Sequence, residues 1–366
     1  MKRYAGILLG ALVAAGCGGA DNGETGSTEE PLDLGTLIPS AYHGLSVGAA
    51  HACVVDACER LVCWGLNDFS QGTVPKSFRI ERWKEVSAGA RHTCGLTTQG
   101  VIKCWGDNTH GQASPPSGSG FKRIEAGALH SCAIDAIGTP RCWGQITTPP
   151  PSYLARSTTG IASGYGYACA EYDDASAQAK LLSCWSGGSV APSPSFFVNP
   201  LGNDPPHGTT AGQFHACTLR GQQLLCWGDN HHGQADGRGI RGNNDPFGVL
   251  DLEDRAGTWL FPAYTTGRYG WTEVEAGRLH TCGINTGYAN YIGRPTNVFC
   301  WGSDVSGETS GIPHKQFLEL SLGDSVSCGV TDTHQVLCWG RRSNLPREPQ
   351  LPTECVNYTL PPQPSF

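Results

Sequence analysis

A Cys-Trp dipeptide recurs seven times: Cys63-Trp64, Cys104-Trp105, Cys142-Trp143, Cys184-Trp185, Cys226-Trp227, Cys300-Trp301 and Cys338-Trp339. A motif repeated at near-constant spacing obliges a chain to build its core from copies of one supersecondary unit. Most neighbours are 38 to 42 positions apart. The interval from Cys226 to Cys300 is 74 and accommodates either a decayed eighth copy or an insertion. An insertion over 236–270 is the better reading, because that stretch has no Cys and is rich in Gly, Asn, Asp and Arg. Long surface insertions cost little free energy.

Each copy reads as strands. An aromatic and then an aliphatic precede a Gly at fixed spacing, as in Trp83, Val86 and Gly89, or Phe317, Leu320 and Gly323. A His-x-Cys-x-aliphatic segment follows, whose period of two puts alternate side chains on opposite faces. After a polar turn, a third segment ends in Cys-Trp-Gly. The unit is a three-stranded antiparallel meander, with room for a less regular fourth strand near the Gly-Gln and Pro residues. No long 3.6-residue period occurs, and 50 Gly with 24 Pro in 366 residues favour tight turns over helices. Repeats of this size match propeller blades, and seven lie within the range that closes a ring. An open β-solenoid is the rival, although its repeats are usually shorter. The expected fold is therefore an all-β, seven-bladed β-propeller of three- to four-stranded blades.

The pattern A-G-x-x-H-x-C followed by C-W-G-x-N-x-x-G-Q, clearest from Ala88 to Gln112 and from Ala211 to Gln234, resembles the repeats of the regulator of chromosome condensation family. The likeness is to the shorter, cysteine-bearing bacterial variety, and it covers roughly residues 42–341. It implies a seven-bladed propeller. The nucleotide-exchange role of the eukaryotic founder would need a nuclear partner, which an exported chain does not meet. Secreted propeller inhibitors that grip a target with loops on one face are nearer in compartment, but a shared fold does not carry a function across.

The seventeen cysteines suit an oxidising compartment. Facing residues on adjacent antiparallel strands come within disulfide range. One bridge per blade is expected: Cys53–Cys63, Cys94–Cys104, Cys132–Cys142, Cys169–Cys184, Cys217–Cys226, Cys282–Cys300 and Cys328–Cys338. Cys17, Cys58 and Cys355 remain, and a Cys58–Cys355 bridge would fasten the Pro-rich closure segment 344–366 across the first blade. The C-x-x-C spacing of zinc sites is absent, so no metal or other cofactor is expected.

Residues 1–16 read as a lipoprotein signal peptide. Lys2 and Arg3 precede a short apolar run ending in Ala14-Ala15-Gly16 before Cys17. The run resembles the bacterial lipoprotein box, with Ala14 in place of the usual Leu, which implies acylation of Cys17. Residues 17–40 read as a flexible acidic tether, and 41–366 as the propeller with its insertion and closure segment. The expected location is a bacterial outer membrane or cell surface, with the membrane engaged through the lipid anchor alone.

No catalytic signature stands out, so a non-enzyme is expected. The net charge of -7 without a basic run gives no reason to expect nucleic acid. The repeated His51, His92, His130, His215 and His280 give way to Tyr167 and Val326 in two copies, which suits a structural role better than a metal ring. Asp251, Glu253 and Asp254 read as a solvated loop. Between Gly and His the copies diverge, and these turns should ring one face. Arg91, Leu129, Tyr165, Phe214 and Arg278 form the candidate binding face, the alternative being packing beneath neighbouring loops. Trp259, Phe261, Tyr264 and Tyr269 add an aromatic cluster that packs on the propeller or joins a contact surface. The expected function is a monomeric, protein-binding module at the cell surface. Carbohydrate binding or cleavage, and a purely structural surface role, are the alternatives. Thiol labelling of the unreduced mature protein is expected to find almost no free cysteine; many free thiols would overturn the pairing scheme.

Overall fold

The computed structural model describes residues 44–56, 58–146, 148–186, 206–221, 223–235, 270–286 and 296–341. All lie within the compact unit Ser40–Phe366. They form seven separate antiparallel sheets of three consecutive strands. Blade 1 holds β1 (Leu45–Val47), β2 (His51–Val55) and β3 (Leu61–Gly65), and blade 2 holds β4 (Trp83–Ala88), β5 (His92–Thr97) and β6 (Ile102–Gly106). Blade 3 holds β7 (Arg123–Ala126), β8 (His130–Ile134) and β9 (Pro140–Gly144), and blade 4 holds β10 (Thr158–Ser163), β11 (Tyr167–Asp174) and β12 (Ala179–Ser186). Blade 5 holds β13 (Pro206–Ala211), β14 (His215–Arg220) and β15 (Gln223–Gly228). Blade 6 holds β16 (Trp271–Ala276), β17 (His280–Asn285) and β18 (Val298–Gly302), and blade 7 holds β19 (Phe317–Leu322), β20 (Val326–Thr331) and β21 (Val336–Gly340). No sheet has a fourth strand among the described residues. The expected insertion 236–270, apart from Gly270, and the closure segment 344–366 lie outside them, as do residues 1–40.

The middle strand of each blade is sandwiched between neighbouring blades and is largely buried. β5, β17 and β20 are buried at every position, so they read as mixed apolar and small polar runs rather than as alternation. Where the inner strand starts with a large aromatic, the middle strand supplies a glycine opposite. A Cβ on Gly95, Gly283 or Gly329 would fall within 3 Å of the Trp83, Trp271 or Phe317 ring respectively. Close packing of this kind leaves no room for a methyl group.

A disulfide joins the middle and outer strands of every blade. Cys53 faces Cys63, Cys94 faces Cys104, Cys132 faces Cys142 and Cys169 faces Cys184 across their ladders. Cys217 faces Cys226, Cys282 faces Cys300 and Cys328 faces Cys338. Their Cα atoms are 3.9 to 4.1 Å apart, and all seven pairs are bonded. Each closes a loop of 9 to 18 residues, for which chain entropy predicts about 3 kcal/mol. Cys58 is buried and disulfide-bonded as well; Cys17 and Cys355 lie outside the described residues.

Glycines ring the axis where each inner strand turns into the middle one. A Cβ on Gly48 would collide with the Gly89 carbonyl oxygen, one on Gly89 with that of Gly127, and so on through Gly164, Gly212, Gly277 and Gly323. Gly323 meets Gly48 in the same way, which closes the ring as an all-β seven-bladed propeller. Each of these glycines also abuts the His or Tyr ring three residues on, except at Gly323, where Val326 stands in that place. Gly89→Ala would put its methyl 2.5 Å from the Gly127 oxygen. It is expected to cost at least about 2 kcal/mol, read as a lower urea midpoint; an unchanged midpoint would contradict the close approach.

Candidate functional site

The inner strands β1, β4, β7, β10, β13, β16 and β19 surround the axial channel, and each has one edge with no strand beside it. Two-residue periodicity aims the side chains two and four positions before the ring glycine at the axis. The upper tier is Ser46, Ser87, Glu125, Ala162, Thr210, Glu275 and Ser321; the lower tier is Gly44, Glu85, Arg123, Gly160, Gly208, Glu273 and Glu319.

These side chains bind the open edge of the next blade. Ser46 Oγ accepts from Ala88 N at 2.9 Å, Ser87 Oγ from Ala126 N at 2.8 Å and Thr210 Oγ1 from Ala276 N at 3.1 Å. In the lower tier Glu273 accepts from Leu320 N, and Glu319 from Leu45 N, both at 2.8 Å. Ser321 Oγ accepts from Val47 N at 2.9 Å, so the junction of blades 7 and 1 uses the same device. Blade 4 has Gly160 where blades 2, 6 and 7 have Glu, and Glu171 of the middle strand fills that space. Its carboxylate accepts from Thr209 N at 2.9 Å. These channel residues were not singled out in the sequence. Their signal is polar residues at glycine minus two and minus four in strands that are otherwise apolar.

A second cross-blade network uses the repeated histidines. His51 Nε2 lies 2.8 Å from Thr93 Oγ1, His92 from Ser131 Oγ at 2.8 Å, His215 from Thr281 Oγ1 at 2.8 Å and His280 from Ser327 Oγ at 2.9 Å. Each hydroxyl donates to a backbone carbonyl of the preceding blade, at Gln71, Gln112, Gln234 or Glu308. The hydroxyl proton is thereby used, so the imidazole must donate from Nε2. The Trp of Cys-Trp-Gly donates to the same carbonyl: Trp105 to Gln71, Trp143 to Gln112, Trp301 to Gln234 and Trp339 to Glu308. Where the next blade has Ala52 or Ala216 in place of the hydroxyl, the histidine is replaced by Val326 or Tyr167. Blade 3 keeps His130 opposite Ala168. Four of the five histidines are thus structural pins between blades.

The variable turns sit above this frame. Ala49, Ala90, Ala128, Tyr165, Gln213, Arg278 and Asp324 line the channel mouth with the ring glycines, around a cavity of about 150 Å³. Their turns are anchored to the outer loops: Arg91 O accepts from Asp107 N, Leu129 O from Gln145 N, and Phe214 O from Asp229 N, each at 2.8 Å. Of the five candidate residues, Tyr165 and Phe214 meet edge to face, with centroids 6.3 Å apart. The Arg91 guanidinium lies over the Phe69 ring at 5.1 Å. Arg278 donates to Gln213 Oε1 at 2.9 Å and faces Asp324 at 3.8 Å. Leu129 is half-buried. Tyr165 is 47% exposed, and Phe69, at 39%, extends the aromatic surface onto blade 1.

The fold and site define a class: a closed, disulfide-stapled propeller with an anchored loop face around an axial mouth. Its second blade, residues 83–112, matches the regulator of chromosome condensation (RCC1) repeat. A serine/threonine-protein kinase-like protein, CCR2 of Arabidopsis thaliana, is 28% identical over 206 residues, which is 52% of this chain and 23% of that protein. The chain thus matches about a quarter of that relative's length. Among solved structures, the receptor kinase CR4 ectodomain of Physcomitrella patens superposes with a TM-score of 0.57 at 21% identity, covering 81% of this chain and 73% of that one. The ACR4 ectodomain of Arabidopsis thaliana gives 0.56 at 20%, covering 83% and 97%. Prp20p of Saccharomyces cerevisiae gives 0.56 at 18%, covering 78% and 82%. These likenesses are of fold.

Burial tunes both networks against pH. It lowers His51, His130 and His215 to about 4, and His92 and His280 to about 3, from an ordinary 6.5. The unfolded chain takes up those protons below 6.5 and the folded one does not, so stability falls as pH drops from there. Burial raises Glu125 and Glu275 to about 8 and Glu319 to about 7, from 4.5. The folded chain keeps those protons after the unfolded one has lost them, so stability falls as pH rises above 4.5 and through 8. The two slopes oppose each other only between about 4.5 and 6.5. Maximum stability is expected in that window, read as the urea midpoint against pH. Glu125→Gln with Glu275→Gln should flatten the alkaline limb; a maximum above pH 8 would contradict the account.

Proposed function

We propose that this protein is a cell-envelope lipoprotein that binds a protein partner through the loop face around the channel mouth. The observation that carries this reading is the conjunction at the mouth of solvent-facing aromatic and arginine side chains with a backbone that cannot yield. Tyr165, Phe214, Arg91 and Arg278 are of the types that anchor interfaces, and the turns of Arg91, Phe214 and Arg278 are pinned to outer loops whose Gln112, Gln234 and Glu308 are buried. Such preorganisation lowers the ordering cost of association. The seven disulfides suit an extracellular or other oxidising setting. The fold neighbours include two receptor ectodomains, and Prp20p, whose binding to Gsp1p and histones was studied with its structure.

In this reading, acylated Cys17 and the tether 17–40 hold the propeller at the membrane, and Cys58 pairs with Cys355. Apart from the fourteen blade cysteines and Cys58, the chain contains only Cys17 and Cys355, and an acylated Cys17 leaves Cys355. Among the described residues no helix is long and apolar enough to cross a bilayer. The pairing of exposed Tyr165 with half-buried Phe214 also favours a second reading, in which aromatic rings stack on a glycan.

The test is affinity capture from envelope extract with the oxidised unit 40–366 and an Arg91/Phe214/Arg278 triple-alanine control. One protein retained by the native bait and lost with the control is the expected outcome. Retention of glycan alone would put carbohydrate binding first, and retention of nothing would favour a structural role.

A further inference from the structure

The axial cavity runs from the mouth past the glycine ring to the upper channel tier. Its wall is made by the ring glycines and by Ala49, Ala90 and Ala128, and Glu125 and Glu275 belong to its lining. At about 150 Å³ it has room for one long side chain. Glu125 shares Ser87 Oγ at 3.3 Å, and Glu275 shares Thr210 Oγ1 at 3.1 Å. Below them stand Glu85, Glu273 and Glu319, with Arg123 as the cation of the two tiers, its Nε 3.2 Å from Glu85 Oε1. Glu85 is 2% exposed, and neither of its carboxylate oxygens accepts a hydrogen bond of good geometry among the described residues. Five carboxyl groups stand against one guanidinium in a narrow, low-dielectric channel, and those that ionise focus a field that favours a cation.

The rim is uneven. Blades 1 to 3 present Ala49, Ala90 and Ala128, whereas blades 4 to 7 present Tyr165, Gln213, Arg278 and Asp324. A partner's backbone can come close over the alanine arc, with the aromatic pair beside it. Asp324 occupies Arg278, so that cation does not close the mouth against a positive group.

We propose that the mouth receives one lysine or arginine side chain of the partner protein, inserted past the glycine ring between Glu125 and Glu275, while Tyr165 and Phe214 cover the apolar surface next to it. This rests on the protein-binding reading and names the chemistry of its central contact. Charge complementarity selects the occupant: only a cation gains from ionising the two carboxyls, and a neutral or acidic side chain does not. Burial, with Glu85 and Arg123 acting on Glu125, and Thr210, Glu319 and Arg123 on Glu275, holds both carboxyls at about 8. Entry of a cation therefore ionises them and expels protons near neutrality.

The test is calorimetric titration of the full-length protein at pH 7 with N-acetyl-arginine amide, N-acetyl-lysine amide and N-acetyl-norleucine amide, in two buffers of different ionisation enthalpy. The cationic amides are expected to bind with proton release, and the norleucine amide not to bind. Glu125→Gln with Glu275→Gln should weaken binding at least about tenfold and remove the proton release. Should that variant fail to fold by circular dichroism, Ala90→Trp decides, because it blocks the mouth without touching a carboxylate and should abolish binding. Equal binding of the norleucine amide, no binding of any amide, or binding unchanged by Ala90→Trp would overturn the proposal. If the captured partner depends on Arg91, Phe214 and Arg278 yet is undiminished by Glu125→Gln with Glu275→Gln, the insertion is overturned and the protein-binding reading stands. If the cationic amides bind as expected but no protein is captured, the cavity's selectivity stands and the protein-binding reading falls.

Discussion

Each inner strand of this ring ends its sheet at the axis, and an open strand edge is a row of unmet hydrogen-bonding groups. Barrels remove that edge by pairing it. Here the blade before it supplies single acceptors, a hydroxyl two residues before the ring glycine and a carboxylate four before it. The arrangement demands that neighbouring turns approach to backbone distance, which is why a glycine stands at all seven positions. Channel polarity, the buried acids and the narrow mouth follow from that one requirement. The acids are structural before they are anything else, and a ligand can use only what the edges leave over.

The histidine network solves the same problem on the far side of the turn. A hydroxyl, a carbonyl, an imidazole and an indole from two blades meet at one place, linked by hydrogen bonds, as at His92, Ser131, Gln112 and Trp143. Removing a single member strands the rest in a dry interior, where an unmet polar group costs about 1–3 kcal/mol. The substitutions across junctions respect this. Val326 faces Ala52, with Val326 packed in an apolar cluster, and Tyr167 reaches instead to His215 O at 2.5 Å.

Much of the fold was legible because the repeat aligns its own copies. The Cys-Trp count, the spacing and the pairing within each copy all point to stapled meanders, and strand alternation decides which cysteines face. The turns from Arg91 to Arg278 were locatable for the same reason: everything around them recurs and they do not. The channel escaped notice because its residues are polar in strands that read as core, and one strand seen alone gives no sign that its polar side faces an axis. The contribution of Glu171 was hidden further. It lies on a different strand from the acids it replaces, and only the emptiness at Gly160 reveals the exchange.

The local character of the staples bears on how the chain is made. Seven bridges join cysteines 9 to 18 positions apart, so in blades 2 to 7 the first cysteine of each blade is followed next in the chain by its own partner. Blade 1 is the exception, because Cys58 comes between Cys53 and Cys63. Serial pairing there would trap Cys53 with Cys58 and leave the first blade unable to form its ladder. Cys63 would then be left to take Cys94 and would shift every later pair by one, so native maturation turns on keeping Cys58 out of pairing until Cys53 has found Cys63.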